Sequence, residues 1–94
     1  MIIVAGALHV DPAERDAYVA ACREAVELAR RSDGCIDFSL SADLIDPGRV
    51  NIFEQWESLE AVVAFRGSGP SSEQVAAIRE ARVFEYEISS SKKL

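Results

Sequence analysis

The chain has 94 residues, 49% of them apolar and 28% charged, with a formal net charge of −6. That length allows one domain with a thin core, because chains this short bury roughly 60 to 70% of the surface they expose when unfolded. The acidic balance argues against a phosphate-backbone partner, which needs clustered Lys and Arg, and the adjacent Lys92 and Lys93 sit on what reads as a solvated tail.

Ile2 to Val10 is apolar and rich in β-branched residues, with Ile2, Val4, Gly6 and Leu8 on one face and Ile3, Ala5, Ala7 and His9 on the other. Two covered faces suit a central strand. No basic region precedes this run and Asp11 and Pro12 follow it, so it does not read as a leader peptide; no stretch is long enough to span a bilayer. The expected location is the cytoplasm.

Asp11, Pro12 and Glu14 supply an N-cap, a residue pre-set for a first helical turn, and a carboxylate for the positive end of the dipole. In the predicted helix Tyr18, Ala21, Cys22, Ala25, Leu28 and Ala29 recur on one side, and Arg23, Glu24, Glu27, Arg30 and Arg31 on the other. Gly34 is placed to end it as the C′ residue. Cys35 to Ala42 then sets Ile36, Phe38, Leu40 and Ala42 against Cys35, Asp37, Ser39 and Ser41, a half-buried strand. Cys22 and Cys35 lack the close grouping of redox or metal sites and read as two small core thiols.

Asp46, Pro47 and Gly48 carry turn chemistry before Val50 to Trp56 resumes an extended pattern, so the two runs form a hairpin with a longish loop. Ser58, Glu60 and the run Ala61 to Phe65 predict a second helix, interrupted by Gly67, Gly69 and Pro70. A short helical piece follows over Ser72 to Ala81. The closing strand is Arg82 to Ser89, with Phe84, Tyr86 and Ile88 opposite Val83, Glu85 and Glu87.

The order is βαββαβ, which predicts an α+β, ferredoxin-like domain over residues 1–90 with a short tail at 91–94. Both helices then lie on one face of a four-stranded antiparallel sheet. Ile3, Ala5 and Phe53 are left partly bare if their face points away from the helices, and a second subunit packed sheet on sheet is the simplest cover. The expected assembly is a homodimer.

Three segments, IIVAGALHVDPAERDAYVAA at the start, DGC after the first helix and DPGRVNIFEQWESLEA across the hairpin, together resemble the antibiotic biosynthesis monooxygenase domain family. The resemblance covers Ile2 to about Phe65, and Val83 to Ser89 fits the final strand. It implies a dimeric α+β barrel and, in some members, oxygenation of polycyclic phenols, quinols or hydroquinones with no flavin, metal or haem. The implied partners are a small aromatic molecule and dioxygen, and the implied cofactor set is none.

Such chemistry asks the protein to hold an electron-rich phenolate, remove its proton and exclude water, so it leaves a weak motif: an apolar cavity with one or two polar groups. The chain also departs from many relatives. Ala64 to Gln74 reads AFRGSGPSSEQ, without the second-helix histidine or the Ser-Pro-His-Phe-like run after it. Relatives that degrade haem use an Asn in the first strand and a His in the second helix around a third-strand Trp; Ile2 to Leu8 holds no Asn, so of that set Trp56 alone remains and the resemblance disfavours that activity.

Trp56, the only tryptophan, ends a strand where a cavity between sheet and helices would open, and reads either as core or as a pocket wall. His9, the only histidine, is the side chain whose ordinary pKa of about 6.5 suits proton abstraction near neutral pH, though a strand end can leave it merely exposed. These two are the catalytic candidates. Asn51, Tyr86 and Arg66 are the substrate-binding candidates; their plainer roles are sheet-surface polarity for the first two and a helix C-terminal charge for Arg66. Glu54 is a candidate for a hydrogen bond across a subunit boundary.

The expected function is a cofactor-independent monooxygenase acting on an aromatic quinol or phenol. The alternatives are a non-catalytic dimer that binds a hydrophobic metabolite and an isomerase or cyclase on the same fold.

Overall fold

A computed structural model describes residues 1–67 and 72–94. Its elements are β1 (Ile2–His9), α1 (Arg15–Ala21), α2 (Arg23–Arg30), β2 (Cys35–Ala42), β3 (Arg49–Trp56), α3 (Leu59–Arg66), α4 (Ser72–Ala77) and β4 (Glu80–Glu87). The four strands form one antiparallel sheet in the order β2-β3-β1-β4, the ferredoxin-like α+β arrangement.

Local chemistry moves several boundaries. Asp11 accepts a hydrogen bond from the Ala13 amide on Oδ1 (3.0 Å) and from the Glu14 amide on its carbonyl (2.8 Å). It therefore closes a turn ahead of the helix, and Glu14 rather than Asp11 is the N-cap of α1. Helical chain continues to Arg30 with one irregularity at Cys22, whose amide is shared between the carbonyls of Tyr18 and Val19. Gly34 lies beyond the end of α2, in a turn at φ 81°; a Cβ there would come within 2.6 Å of the Ala61 Cβ. Glycine is required on both counts.

β2 opens with a register shift between Cys35 and Asp37. The shift turns Cys35 toward the core and leaves Ile36 48% exposed, reversing the expected parity of that pair. Across the hairpin, Asp43 Oδ2 accepts from the amides of Ile45 and Asp46, and Asp46 Oδ1 from that of Gly48. Arg15 clamps the loop from α1 by donating to the carbonyls of Asp43 and Asp46.

Ser58 caps α3 as expected, its Oγ accepting from the Ala61 amide at 3.2 Å. The proposed helix breakers Gly69 and Pro70 lie outside the described residues. α4 is shorter than expected because the Arg79 amide bonds to the His9 carbonyl and β4 begins at Glu80.

Register divides every strand between two faces. Val4 lies opposite Glu54 and Glu85, Leu8 opposite Val50 and Ala81, and Ile2 opposite Trp56, so these residues share the helix-covered face. Between Val4 and Leu8 that face of β1 presents Gly6, which has no side chain. The core divides there into a cluster around Ile2, Val4, Ala29, Phe38, Trp56 and Val62 and another around Leu8, Val10 and Val50. A Cβ on Gly6 would meet the Arg82 carbonyl within 1.9 Å, so β1 and β4 approach closely at the same point.

Candidate functional site

A cavity of about 540 Å³ spans the two core clusters, between the sheet and the helices. Phe38, Val26 and Phe65 contribute to its wall beside the first cluster; Leu8, Leu40, Ile52 and Ile78 do so beside the second. Ala25 and Leu28 complete an apolar side on α2, which is why Leu28 sits on the apolar stripe yet remains 49% exposed. Tyr18, Cys22, Glu54 and Arg66 are the side chains that bring polar atoms to it.

Glu54 is a charged residue at an inward position of β3, between Ile52 and Trp56. It is buried, and its Oε1 accepts from the Trp56 indole Nε1 at 3.0 Å. Burial pushes the Glu54 carboxyl above its ordinary value, a shift opposed by the indole hydrogen bond and by the positive charge of Arg66. No described donor other than the indole engages this carboxylate. Toward the other end, burial raises the Tyr18 phenol to about 12, aided by the neighbouring Cys22, and also raises the Cys22 thiol. Both stay protonated near neutral pH.

Trp56 is fully buried and does not itself contribute to the cavity wall. It stands directly behind that wall: its ring centroid is 5.2 Å from Phe65 and 6.5 Å from Phe38, and Phe38 and Phe65 are 5.7 Å apart. The structure thus gives Trp56 a core position that also holds Glu54. Glu54 makes this bond within its own chain. Arg66, in the last turn of α3, does reach the wall, and its Nη1 lies 3.6 Å from Glu85 Oε1 on β4.

His9, Asn51 and Tyr86 lie apart from these groups, on the uncovered face of the sheet. His9 Nε2 is 3.3 Å from Asp46 Oδ2, and its Nδ1 is buried with no hydrogen-bond partner among the described residues. Asn51 donates to Asp43 Oδ1 at 2.9 Å and accepts from Arg49 Nε at 2.7 Å, which ties it to the hairpin loop. Tyr86 stacks loosely beside Phe84, with ring centroids 6.5 Å apart. His9 and Tyr86 line a shallower hollow of about 340 Å³ together with Arg49, Arg82 and Phe84. The structure therefore joins only Arg66 and, from behind, Trp56 to the large cavity.

Sequence reasoning passed over Glu54, Tyr18 and Cys22 as cavity residues. The signal for Glu54 was present: in Val50, Ile52, Glu54, Trp56 one carboxylate interrupts an otherwise apolar inward series. Among the described residues, no three His, Cys, Asp or Glu side chains gather as they would around a metal ion. No described helix is long and apolar enough to cross a membrane.

Over residues 1–81 the chain matches the family model described as antibiotic biosynthesis monooxygenase. Among solved structures it is similar to a conserved protein from Methanosarcina mazei Go1, at 18% identity and a TM-score of 0.80, covering 94% of this chain and 92% of that one. A protein from Nitrosomonas europaea assigned to the antibiotic biosynthesis monooxygenases is 19% identical, with a TM-score of 0.79 and coverage of 93% and 97%. A protein from Mycobacterium tuberculosis is 22% identical, with a TM-score of 0.79 and 98% of each chain covered. At these identities the structural likeness establishes the fold. No curated protein matches the chain.

Proposed function

The chain belongs to the antibiotic biosynthesis monooxygenase family, and from that premise we propose that it is a cofactor-independent monooxygenase for an aromatic quinol or phenol bound in the cavity between sheet and helices. The observation that carries this reading is the buried Glu54 carboxyl, presented to an apolar cavity of about 540 Å³ and held there by the Trp56 indole. A cavity of that size accepts a fused ring system, and its apolar wall excludes water from the reacting carbon.

In this reading Glu54 is the general base. A carboxyl raised by burial is a stronger base than one in water and better matched to a phenolic or benzylic proton. Arg66, in the same wall, stabilises the resulting anion. The electron-rich anion passes an electron to dioxygen, radical and superoxide combine, and the peroxide loses water. For a ring methylene the balance is CH2 + O2 → C=O + H2O: one oxygen atom enters the product and the other leaves as water with both hydrogens. The substrate supplies all four electrons.

Trp56 orients the base rather than stacking on substrate. The bare face of the sheet, carrying Phe53, Phe84 and Tyr86, is assigned to a second copy of the chain, and His9 and Asn51 lie on that side.

Oxygen-electrode recordings on a panel of anthrones and hydroquinones test the reaction. The expected result is uptake of one O2 per product, lowered about 100-fold or more in Glu54→Gln, whose amide oxygen still accepts from the indole. Binding without oxygen uptake would replace this reading by that of a non-catalytic binder. Product formed without oxygen would replace it by that of an isomerase or cyclase.

A further inference from the structure

Glu54, Val4 and Glu85 form one row across β3, β1 and β4 on the helix-covered face, because Val4 is in register with both carboxylates. Arg66 serves both ends of the row. It lies 3.6 Å from Glu85 Oε1, and its charge acts on Glu54. Arg66 is also the one cationic side chain among the described residues of the cavity wall. A single guanidinium is thus set between an inner, buried carboxyl and an outer one that is 41% exposed.

We propose that Glu85 is a positioning residue that sets the charge class of the ligand: by pairing with Arg66 it reserves the cavity for polycyclic phenols that arrive uncharged and disfavours those already carrying a carboxylate. The inference rests on the placement of the ligand given above and adds its charge at entry. An incoming carboxylate must take Arg66 from Glu85 and then lies beside two acidic groups served by one cation, which is unfavourable. A neutral phenol leaves the Glu85 pair intact on entry, and Arg66 is drawn to it only after its proton has been removed. Selectivity of this kind comes from repulsion against the wrong ligand as much as from attraction to the right one.

The probes are anthraquinone-2-carboxylate and anthraquinone-2-carboxamide, which share a ring system and differ in charge. Binding is read by quenching of Trp56, the only tryptophan, whose ring stands against Phe65 of the cavity wall. The parent protein is expected to prefer the amide. Glu85→Gln should tighten the carboxylate by about threefold to fivefold, the size of a half-exposed ion pair, and leave the amide unchanged. Glu85→Asp, which keeps the charge, should restore the parental preference. With Arg66→Gln already present, Glu85→Gln should change the ratio by less than it does in the parent.

Equal shifts for both probes in Glu85→Gln would mark a packing role and overturn the proposal. So would the same gain in Glu24→Gln, an equal change of net charge on the exposed side of α2, since that would be long-range charge alone. These readings need no turnover. A protein that follows the charge rule without consuming oxygen loses the reaction and keeps this inference; one that consumes oxygen with an unaltered ratio in Glu85→Gln does the reverse.

Discussion

On the helix-covered face of the sheet Trp56 and Val50 are fully buried, whereas on the other face Phe53, Phe84 and Tyr86 remain 38%, 53% and 50% exposed. The same strands supply both sets by alternation, so composition does not separate them. The difference is what covers each face. Two-residue periodicity divides a strand into two sets, and only tertiary packing decides which set faces helices, a ligand or another chain. On the covered side the core is broken by a cavity; on the bare side aromatic rings stand in water, a costly arrangement for a solitary domain.

The largest effect that tests this contrast is on stability. Trp56→Ala should cost about 3 to 5 kcal/mol in urea unfolding, through lost contact with Phe38 and Phe65 and an unpartnered Glu54. Phe84→Ala, read on the same chain, should cost less than about 1 kcal/mol. Equal losses would mean that the outer face is as well packed as the inner one.

Next in size is assembly. Light scattering at micromolar concentration should give a dimer for the parent and a monomer for Phe84→Glu, with Trp56 emission unchanged because the substitution is on the opposite face. A monomeric parent would remove the second copy from the account of the bare face.

The smallest effect is on the pH dependence of stability, and its sign distinguishes the buried carboxyl from the exposed hairpin. Glu54 has its folded value raised above the ordinary 4.5, so its contribution is full below 4.5 and is lost as pH rises through the folded value. Asp43 is lowered from 3.8 to about 2 by the amides of Asp46 and Ile45 and by Asn51, so its contribution is present above 3.8 and is lost as pH falls toward 2. Denaturation midpoints across this range should show both slopes, and Glu54→Gln should abolish the upper one alone. An unaltered upper slope in that variant would place the raised group elsewhere.

Much of the fold was legible because each element carried its own local signal. The β1, β3 and β4 alternations, the apolar stripe through Cys22 and Ala29, the Ser58 cap and the turn residues Asp46 to Gly48 all lie within a few residues of what they specify. The site was less legible because it depends on relations between elements. His9, Asn51 and Tyr86 each read as polar contacts, but pairing His9 with Arg49, Ala7 with Asn51 and Ile3 with Tyr86 sets all three on the face opposite the cavity. Ile36 misled for a different reason: a bulge shifts parity without any residue that announces it. Tyr18 was grouped with the core stripe, and only the gap left beside Ile52, between the two core clusters, makes that stripe a wall.

β1 lies in the interior of the sheet, yet both of its neighbours, β3 and β4, are encoded later in the chain. During synthesis β1 therefore has no ladder partner until β3 has been made, and its second ladder, closed by the Ile88 amide on the Met1 carbonyl at 3.0 Å, awaits β4. The hairpin of β2 and β3 can form before that and pair with one edge of β1, but the other edge of β1 keeps its backbone groups open until β4 arrives. Slow, late closure is the kinetic consequence of this strand order, and Ile2–His9 is the segment a chaperone would meet unpaired.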